Sequence, residues 1–483
     1  MNKSSKKLPL VEVRGGLRVG VWDNKPGQRY STLLDPWPTS GTPMQAHYDL
    51  IIRHGTCILP WGRTETDIGV RAGRIATLHA TPTDTADTEF DAAHLHVLPG
   101  LIDPHVHLRD PGDAAVESIP TGTKAAILGG LTAVFDMPNT NPAITDPDTL
   151  AWKQAYVPQN SYCDFGIYIG ATKHNANALG GMETAEGVCA IKLFAGSTTG
   201  DLLVEDDEGI EKVLRAGRRR IAFHSEDEYR LRARRPLFTT GMPYASHMEW
   251  RDEECAFLGT RRIIALARKT ARPAHIVHVS TAEELDYLAD HKDIATCEVL
   301  LNHLTQIAPD CYERLGGYAV MNPPIRGLRH YEAAWAAIND GIVDTVGSDH
   351  APHSRTAKEK PWPETAAGLT GIQTLVPIML DHVNQGRLSL ERMVDLMSAG
   401  PARVYGALNK GRLAVGYDAD FTIVDLKKSR TIEENWIVTP AGWTPFAGMQ
   451  VTGWPQATIV RGTTVMQDDT VVGPPKGKTI QFR

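Results

Sequence analysis

The stretch "GLIDPHVHLRDPG" (residues 100–112) places two histidines and an arginine at alternating positions directly after an apolar run. If this run is a β-strand, its successive side chains alternate between two faces, so His105, His107 and Arg109 point to the same side. Glycines and prolines on both flanks are typical of strand ends. The stretch therefore predicts a polar cluster at the end of a buried strand.

The middle of the chain alternates apolar, β-rich segments with longer stretches whose apolar residues recur at helical spacing. Eight such strands within about 300 residues predict an α/β fold, a (β/α)8 barrel of the TIM type. Short β-type segments before and after this region predict a small β-sandwich built from N- and C-terminal segments. The predicted barrel strands are residues 97–105, 132–138, 163–171, 188–194, 220–226, 274–280, 294–299 and 342–350.

These patterns divide the chain into four predicted parts. Residues 1–47, rich in Pro, Gly, Ser, Thr and Lys, show no sustained period and are interpreted as an N-terminal extension. Residues 48–98 form the first part of the β-sandwich, residues 99–405 the barrel, and residues 406–483 the second part of the sandwich.

The composition of the chain limits the kinds of partner that the protein is expected to bind. A net charge of −7 gives no general attraction for nucleic acid or an anionic membrane. Two basic clusters, "RAGRRR" (215–220) and "RLRARR" (230–235), flank an acidic run and are interpreted as helix ends or ion pairs. The six cysteines form no CxxC pair, and buried free thiols in a reducing compartment are expected. With no secretory signal and no long apolar run, we expect a soluble, cytoplasmic protein.

The predicted strand ends carry the residues of interest, because barrels of this type place their chemistry there. A single histidine in a strand is usually structural, but several histidines together with an aspartate indicate a metal site. Neutral imidazoles and carboxylates are good ligands for zinc. The polar residues at or just after these ends are His105, His107, Arg109, Asn139, Lys192, His224, His278 and Asp349.

Lys192, in "AIKLFAG", is unusual among them because an ammonium group is costly to bury and cannot bind a metal. Spacing alone leaves two interpretations open. The side chain could be paired with an acid or extend to solvent, or CO2 could have converted it to a carbamate that bridges two metals.

Four motifs in order, "DPHVHLRDPG", "DMPNTNP", "HVST" and "SDHAPH", resemble those of the dihydroorotases of the cyclic amidohydrolase family. The resemblance runs from about residue 48 to the C-terminus. It implies the zinc-dependent, reversible hydrolysis of the cyclic amide of (S)-dihydroorotate to N-carbamoyl-L-aspartate in pyrimidine biosynthesis. A homo-oligomer, either a dimer or a tetramer, is also expected.

The same resemblance implies a binuclear zinc site. His105, His107 and Asp349 would bind the first metal, and His224 and His278 the second. Lys192 lies where many members of the family have a carbamylated lysine as the bridging ligand, which favours the carbamate. Asp349 would also be the catalytic residue that transfers a proton.

Substrate contacts are implied in the same way. Arg109 and Asn139 match residues that grip the substrate carboxylate, and the planar guanidinium fork of arginine suits that role. The other implied contacts are Asn322 in "MNPPIR", His353 in "SDHAPH", and the backbone of Ala367 and Gly368. Turn chemistry is the alternative explanation for both asparagines.

Three alternatives remain beside this assignment. Hydantoinases (dihydropyrimidinases) and allantoinases share the metals but act on rings without a carboxylate, so Arg109 is the discriminating residue. An inactive scaffold is the third, although all expected ligands are present. Two departures from the family pattern are Asp110, where many relatives have glutamate, and Asn302, which leaves only His303 of a usual histidine pair; neither receives a role.

Overall fold

The computed structural model describes residues 45–197 and 202–483. Most of the predicted N-terminal extension, residues 1–44, lies outside the described residues. Two sheets organise the part of the chain that is described, one with eight strands and one with nine.

The eight-stranded sheet is the predicted barrel. Its strands pair in parallel and in chain order, and an isolated bridge between Val106 and His350 brings the first and last strands together. Nearly all strand residues are buried, as expected when helices cover the outer face and side chains fill the interior. The strands are β6 (Leu101–Val106), β7 (Leu131–Asp136), β8 (Asp164–Gly170), β9 (Val188–Phe194), β10 (Ile221–His224), β11 (Ala274–Ile276), β12 (Ala295–Leu300) and β13 (Thr345–Gly347).

Helices follow or separate these strands, which confirms the predicted alternation. Many begin with a capping side chain; Ser118, for example, accepts a hydrogen bond from the N–H of Thr121 at the start of α1. The described α-helices are α1 (Ile119–Leu128), α2 (Pro147–Asn160), α3 (Ala176–Met182), α4 (Asp207–Arg215), α5 (Glu228–Arg234), α6 (Ser246–Trp250), α7 (Glu253–Thr270), α8 (Ala282–Ala289), α9 (Leu301–Thr305), α10 (Asp310–Leu315), α11 (Leu328–Asn339), α12 (Arg355–Lys358), α13 (Leu375–Asn384), α14 (Leu390–Val394) and α15 (Gly400–Tyr405).

The nine-stranded sheet joins the two ends of the described chain. The antiparallel pairing of residues 421–424 with residues 96–99 links the C-terminal strands to the N-terminal ones, and residues from both sides share one hydrophobic core that includes Ile52, Val70, Phe421 and Ile459. Its strands are β1 (His47–Leu59), β2 (Gly62–Arg71), β3 (Arg74–Thr77), β4 (Thr85–Asp91), β5 (His96–Pro99), β14 (Phe421–Thr431), β15 (Gln450–Val460), β16 (Thr463–Gln467) and β17 (Thr470–Val471).

The start of the first predicted barrel strand was wrong. The run 97–105 is divided at Gly100, with β5 in the nine-stranded sheet and β6 in the barrel. A Cβ at Gly100 would lie 2.3 Å from Oγ1 of Thr132 and 2.6 Å from Cβ of Asp420. The chain therefore crosses between sheets through a gap that admits only glycine.

The end of the same strand agrees with the prediction to within one residue, but the alternation expected for the three side chains does not extend that far. β6 ends at Val106, so His107 and Arg109 lie in the loop after the strand, where strict alternation does not apply. The N–H of His107 donates to the carbonyl of His350 over 2.7 Å and holds the loop against the opposite side of the barrel mouth. All three side chains of the opening stretch nevertheless face one cleft.

Two composition-based expectations can be compared with the structure. The six cysteines are buried free thiols, as predicted. The cluster 230–235 lies mostly in α5, where Arg232 pairs with Glu228 over 2.7 Å and Arg230 with Asp252 over 2.5 Å. No helix in the described ranges has the length and apolar character needed to cross a bilayer.

Candidate metal centre and substrate pocket

A cleft opens at the carboxyl ends of the barrel strands. Of the twelve predicted site residues, eleven line it, together with Phe194 and Ala351. His353 is the exception; its Nε2 lies 3.1 Å from the carbonyl of Ala367, one of the lining residues. The structure thus brings together side chains that are separated by up to about 260 positions in the sequence.

The first group of candidate metal ligands consists of His105, His107 and Asp349. Nε2 of each histidine faces Oδ1 of Asp349, at 3.3 Å and 3.0 Å. The other ring nitrogen of each histidine contacts a different side chain: Nδ1 of His105 lies 2.7 Å from Glu298 Oε1, and Nδ1 of His107 lies 2.6 Å from Asn139 Oδ1. Protons on both Nδ1 atoms leave both Nε2 atoms as electron-pair donors, the usual arrangement behind a metal-binding histidine.

The second group consists of His224 and His278. Nδ1 of His224 and Nε2 of His278 converge to 2.9 Å. On the far side, Nε2 of His224 lies 3.0 Å from Glu226, which favours the proton on that nitrogen. Burial opposes ionisation of Glu226, but the guanidinium of Arg251, 2.5 Å away, outweighs it and holds the pKa of Glu226 well below its usual range.

Lys192 belongs to the same cleft. Its side chain is fully buried, and its Nζ has no hydrogen-bond partner within the described part of the chain; the ring of Phe194 is centred 4.9 Å from Nζ. Burial lowers the pKa of Lys192, although Asp349 and Glu298 oppose the shift. A buried amine without a partner is costly, so this position needs a further group.

The donor set fits a metal centre. Burial lowers the pKa of His105 to about 3, so the imidazole is neutral at pH 7 and able to bind a cation. Burial also disfavours the charge on Asp349, but His105 and His107 outweigh it and lower the pKa of Asp349 to about 2. Three ligand atoms, one from each of His105, His107 and Asp349, lie within 4.8 Å of one another.

A second acidic group, Asp164, Asp418 and Asp420, is not a comparable metal site. The ammonium of Lys410 lies 2.5 Å from Asp164, 2.9 Å from Asp418 and 2.5 Å from Asp420. This cation already occupies the position that a metal would take.

Arg109 lies at the mouth of the cleft, partly exposed. Its Nε and Nη2 donate to the carbonyl of Pro352 at 3.3 Å and 3.0 Å. Within the described residues no acidic side chain lies within ion-pair distance of the guanidinium, and burial lowers the pKa of Arg109. The cleft therefore contains a cationic fork whose hydrogen bonds among the described residues go to a main-chain carbonyl.

Asn322 is held by a histidine that the sequence did not single out. Nε2 of His247 lies 3.0 Å from Oδ1 of Asn322 and 2.9 Å from the carbonyl of Met321, while Nε1 of Trp362 donates to Nδ1 of His247 over 3.2 Å. Because Oδ1 of Asn322 accepts from His247, the amide group of Asn322 has a defined orientation at the cleft wall.

The loop at Ala367 and Gly368 forms a neighbouring part of the cleft wall. Gly368 has φ +151°, and a Cβ there would lie 2.5 Å from the carbonyl of Ala351 and 2.9 Å from Nε2 of His353. Any other residue would collide with these atoms. Burial, with Arg109 nearby, lowers the pKa of His353 to about 3, so the ring is neutral beside the loop.

Sequence reasoning missed the buried groups behind the cleft. Glu298 and Glu226 were detectable as acids within or next to strongly apolar strands, whereas His247 lies in the short helix α6, which carries no such signal. The two departures from the family pattern, Asp110 and Asn302, lie outside the cleft lining. Asp110 accepts the N–H of Ile119 over 2.9 Å, and Oδ1 of Asn302 accepts from Nε2 of Gln306 over 3.3 Å. His303, the histidine that remains, contacts the carbonyls of Pro323 and Pro324 at 3.3 Å and 3.2 Å.

The match to a known family covers most of the chain. Residues 96–465 match the model of the amidohydrolase family. The chain belongs to the amidohydrolase family. This amidohydrolase is 37% identical over 385 residues to a dihydroorotase of Pyrococcus furiosus, spanning 80% of this chain and 84% of that protein. A dihydroorotase of Methanosarcina acetivorans is 34% identical over 411 residues, spanning 81% of this chain and 86% of that protein.

Other similar proteins carry different names. An allantoinase of Deinococcus radiodurans is 31% identical over 449 residues, or 90% of this chain and 99% of that protein. Among solved structures, the L-hydantoinase (dihydropyrimidinase) of Arthrobacter aurescens superposes with a TM-score of 0.85 at 27% identity, covering 90% of this chain and all of that one. The amidohydrolase described here is a cyclic amide hydrolase, and these neighbours leave its ring substrate to be identified.

Proposed function

We propose that this amidohydrolase is a dihydroorotase, which opens the ring of (S)-dihydroorotate to N-carbamoyl-L-aspartate and closes it in the reverse direction. The observation that carries the proposal is Arg109. A guanidinium at the cleft mouth, without an acid in ion-pair distance among the described residues, matches a substrate that brings its own carboxylate. Rings without a carboxylate would leave this charge uncompensated.

Two metals are proposed for the cleft. His105, His107 and Asp349 would hold one, His224 and His278 the other, and Lys192, as a carbamate, would bridge them. Zinc ions bound there would supply Lewis acidity for the amide carbonyl and lower the pKa of a water molecule. Carbamylation would also remove the unpaired buried ammonium of Lys192, which supports it.

Residues of the cleft would bind the substrate, orient its ring and transfer the proton. Arg109 and Asn139 bind the substrate carboxylate, and Asn322, His353 and the backbone of Ala367 and Gly368 orient the ring. Asp349 accepts a proton from the attacking water and delivers it to the leaving ring nitrogen. Its lowered pKa means that it begins the reaction as a carboxylate, as a general base must.

Allantoinase is the second candidate, because the allantoinase of D. radiodurans matches this chain over a longer stretch than the archaeal dihydroorotases do. Its identity of 31% is lower, however, than the 37% of the dihydroorotase of P. furiosus. Both candidates would use the same metals, so the substrate decides between them.

Steady-state assays on L-dihydroorotate, allantoin, hydantoin and dihydrouracil test the proposal directly. A dihydroorotase should have its highest kcat/KM on L-dihydroorotate and should form the ring again from N-carbamoyl-L-aspartate. A higher kcat/KM on allantoin or on an unsubstituted ring would reject the assignment while leaving a cyclic amide hydrolase.

A further inference from the structure

Lys358 is a buried lysine whose surroundings differ from those of the other buried lysines. It ends α12, in the loop after β13, and is fully buried. Its ammonium donates to three main-chain carbonyls, of Val320 at 2.9 Å, Ala366 at 2.7 Å and Gly368 at 2.9 Å. No acidic side chain in the described ranges lies within ion-pair distance, whereas Lys153 and Lys410 each contact aspartates.

The three carbonyls belong to two segments of the cleft wall. Val320 lies two residues before the lining residue Asn322. Ala366 precedes the lining residue Ala367, and Gly368 is itself a lining residue. The same segments also bond directly, since the N–H of Gly368 donates to the carbonyl of Val320 over 3.0 Å. One ammonium thus joins the loop that follows β12 to the loop that follows β13.

These contacts set the orientation of successive peptide groups. A trans peptide directs its C=O and N–H to opposite sides, so a carbonyl of Ala366 that faces Lys358 turns the N–H of Ala367 away from it. The next carbonyl, of Ala367, contacts His353, and the one after it returns to Lys358. Lys358 and His353 together fix the backbone that lines the cleft.

We propose that Lys358 is a positioning residue for substrate binding, which holds the segments 320–322 and 366–368 in one arrangement without touching the substrate. This inference deepens the proposed function and rests on it for the ring contacts of Ala367 and Gly368. Lysine suits the position because its compact head group offers three donors that three convergent carbonyls can share.

Methionine at this position would keep most of the volume and remove every donor. The three carbonyls would then lack the donor that joins them, and the loops would rearrange toward water or other donors. Such a rearrangement should affect binding of the ring much more than the metal ligands, because none of the three carbonyls belongs to the metal-binding groups.

The test compares Lys358→Met with Lys410→Met, a second buried lysine that lies outside the cleft lining. For Lys358→Met we expect unchanged zinc content, kcat within about threefold of wild type and KM for L-dihydroorotate raised about tenfold or more. Hydrogen exchange measured by mass spectrometry should be faster in peptides covering residues 363–371. Lys410→Met should lower Tm and leave KM unchanged, and Lys358→Arg, which keeps donors, should recover part of the KM loss.

The proposal would be overturned if Lys358→Met had both the KM and the hydrogen exchange of wild type. It would also be overturned if the variant lost zinc, kcat and thermal stability together without a specific rise in KM. If Lys358→Met does not fold, Lys358→Gln, which retains one amide donor group, is measured by the same criteria. If the wild-type enzyme does not act on L-dihydroorotate, the proposed function fails by itself. The exchange comparison needs no substrate, and unchanged exchange at residues 363–371 would then still overturn the role of Lys358.

Discussion

Nδ1 of His107 lies 2.6 Å from Oδ1 of Asn139, so a residue at the end of the second barrel strand orients a candidate metal ligand of the first. Because an amide oxygen can only accept, the proton is on Nδ1 and the lone pair is on Nε2, which faces Asp349. Asn139 therefore has two proposed functions, as support for a metal ligand and as a contact of the substrate carboxylate.

Two substitutions separate these functions. Asn139→Leu removes the acceptor, and we expect metal affinity of the first site to fall about 10- to 100-fold, together with a higher KM. Asn139→Asp keeps an oxygen toward His107 but places a negative charge near the substrate carboxylate. Its metal affinity should stay close to that of wild type while KM rises. Zinc titration with a competing chelator measures the first effect, and wild-type zinc affinity in Asn139→Leu would contradict the supporting role.

Arg109→Ala tests substrate selection. Removing the guanidinium should lower kcat/KM for L-dihydroorotate about 100-fold or more, because a charge-assisted bidentate contact contributes about 3 kcal/mol. The metals should remain, since Arg109 contacts the Pro352 carbonyl and no metal ligand in its described hydrogen bonds. Arg109→Lys keeps the charge without the planar fork, so its kcat/KM should lie between those of wild type and Arg109→Ala. An alanine variant with wild-type kcat/KM would reject the assigned substrate.

Reconstitution with zinc tests the bridge at Lys192. A neutral amine reacts with CO2 to form a carbamate and release a proton, and burial, which lowers the pKa of Lys192, favours the neutral form. Apoenzyme given zinc in CO2-free buffer should regain little activity, and added bicarbonate should restore it. Lys192→Met should bind less zinc under the same conditions. Full recovery without bicarbonate would exclude the carbamate, and fewer than one zinc per wild-type chain would instead support an inactive scaffold.

The barrel was predictable because its strands are buried on both faces and therefore appear as separate apolar runs between helical stretches. Most of the cleft was predictable too, since barrel topology gathers the carboxyl ends of all strands at one mouth. The boundary at Gly100 was not, because the apolar run from Val97 to Ile102 continues through it without a change in pattern. Only the close approach of Thr132 and Asp420 shows that the chain changes sheets there.

The supporting groups were harder to predict for a different reason. The contact of Glu298 with His105 joins β12 to β6, and it depends on barrel closure rather than on spacing within either strand. Lys358 and His247 lie in the short helices α12 and α6, which have four and five residues and are too short for a periodicity that specifies the direction of a side chain. Contacts of this kind require the positions of several elements at once.

A buried histidine away from the cleft gives a prediction about pH. Burial, with Arg387 nearby, lowers the pKa of His382 to about 4, and its Nε2 lies 3.0 Å from Oγ1 of Thr305. The unfolded chain, with a histidine pKa near 6.5, binds more protons than the folded one between these values. The contribution of neutral His382 to the free energy of unfolding is therefore fully present above about pH 6.5. As the pH falls toward 4, the free energy of unfolding decreases by about 3 kcal/mol in total.

His382→Gln keeps a polar side chain next to Thr305 and removes this titration. Its Tm should be lower than that of wild type near pH 8, and the difference in Tm between pH 7.5 and pH 5 should be smaller. The matched control is His94→Gln, at an exposed position, which should leave the pH dependence unchanged. Thermal scans at one heating rate across this range measure both effects. If His382→Gln loses as much Tm on acidification as wild type does, the acid sensitivity comes from other buried groups.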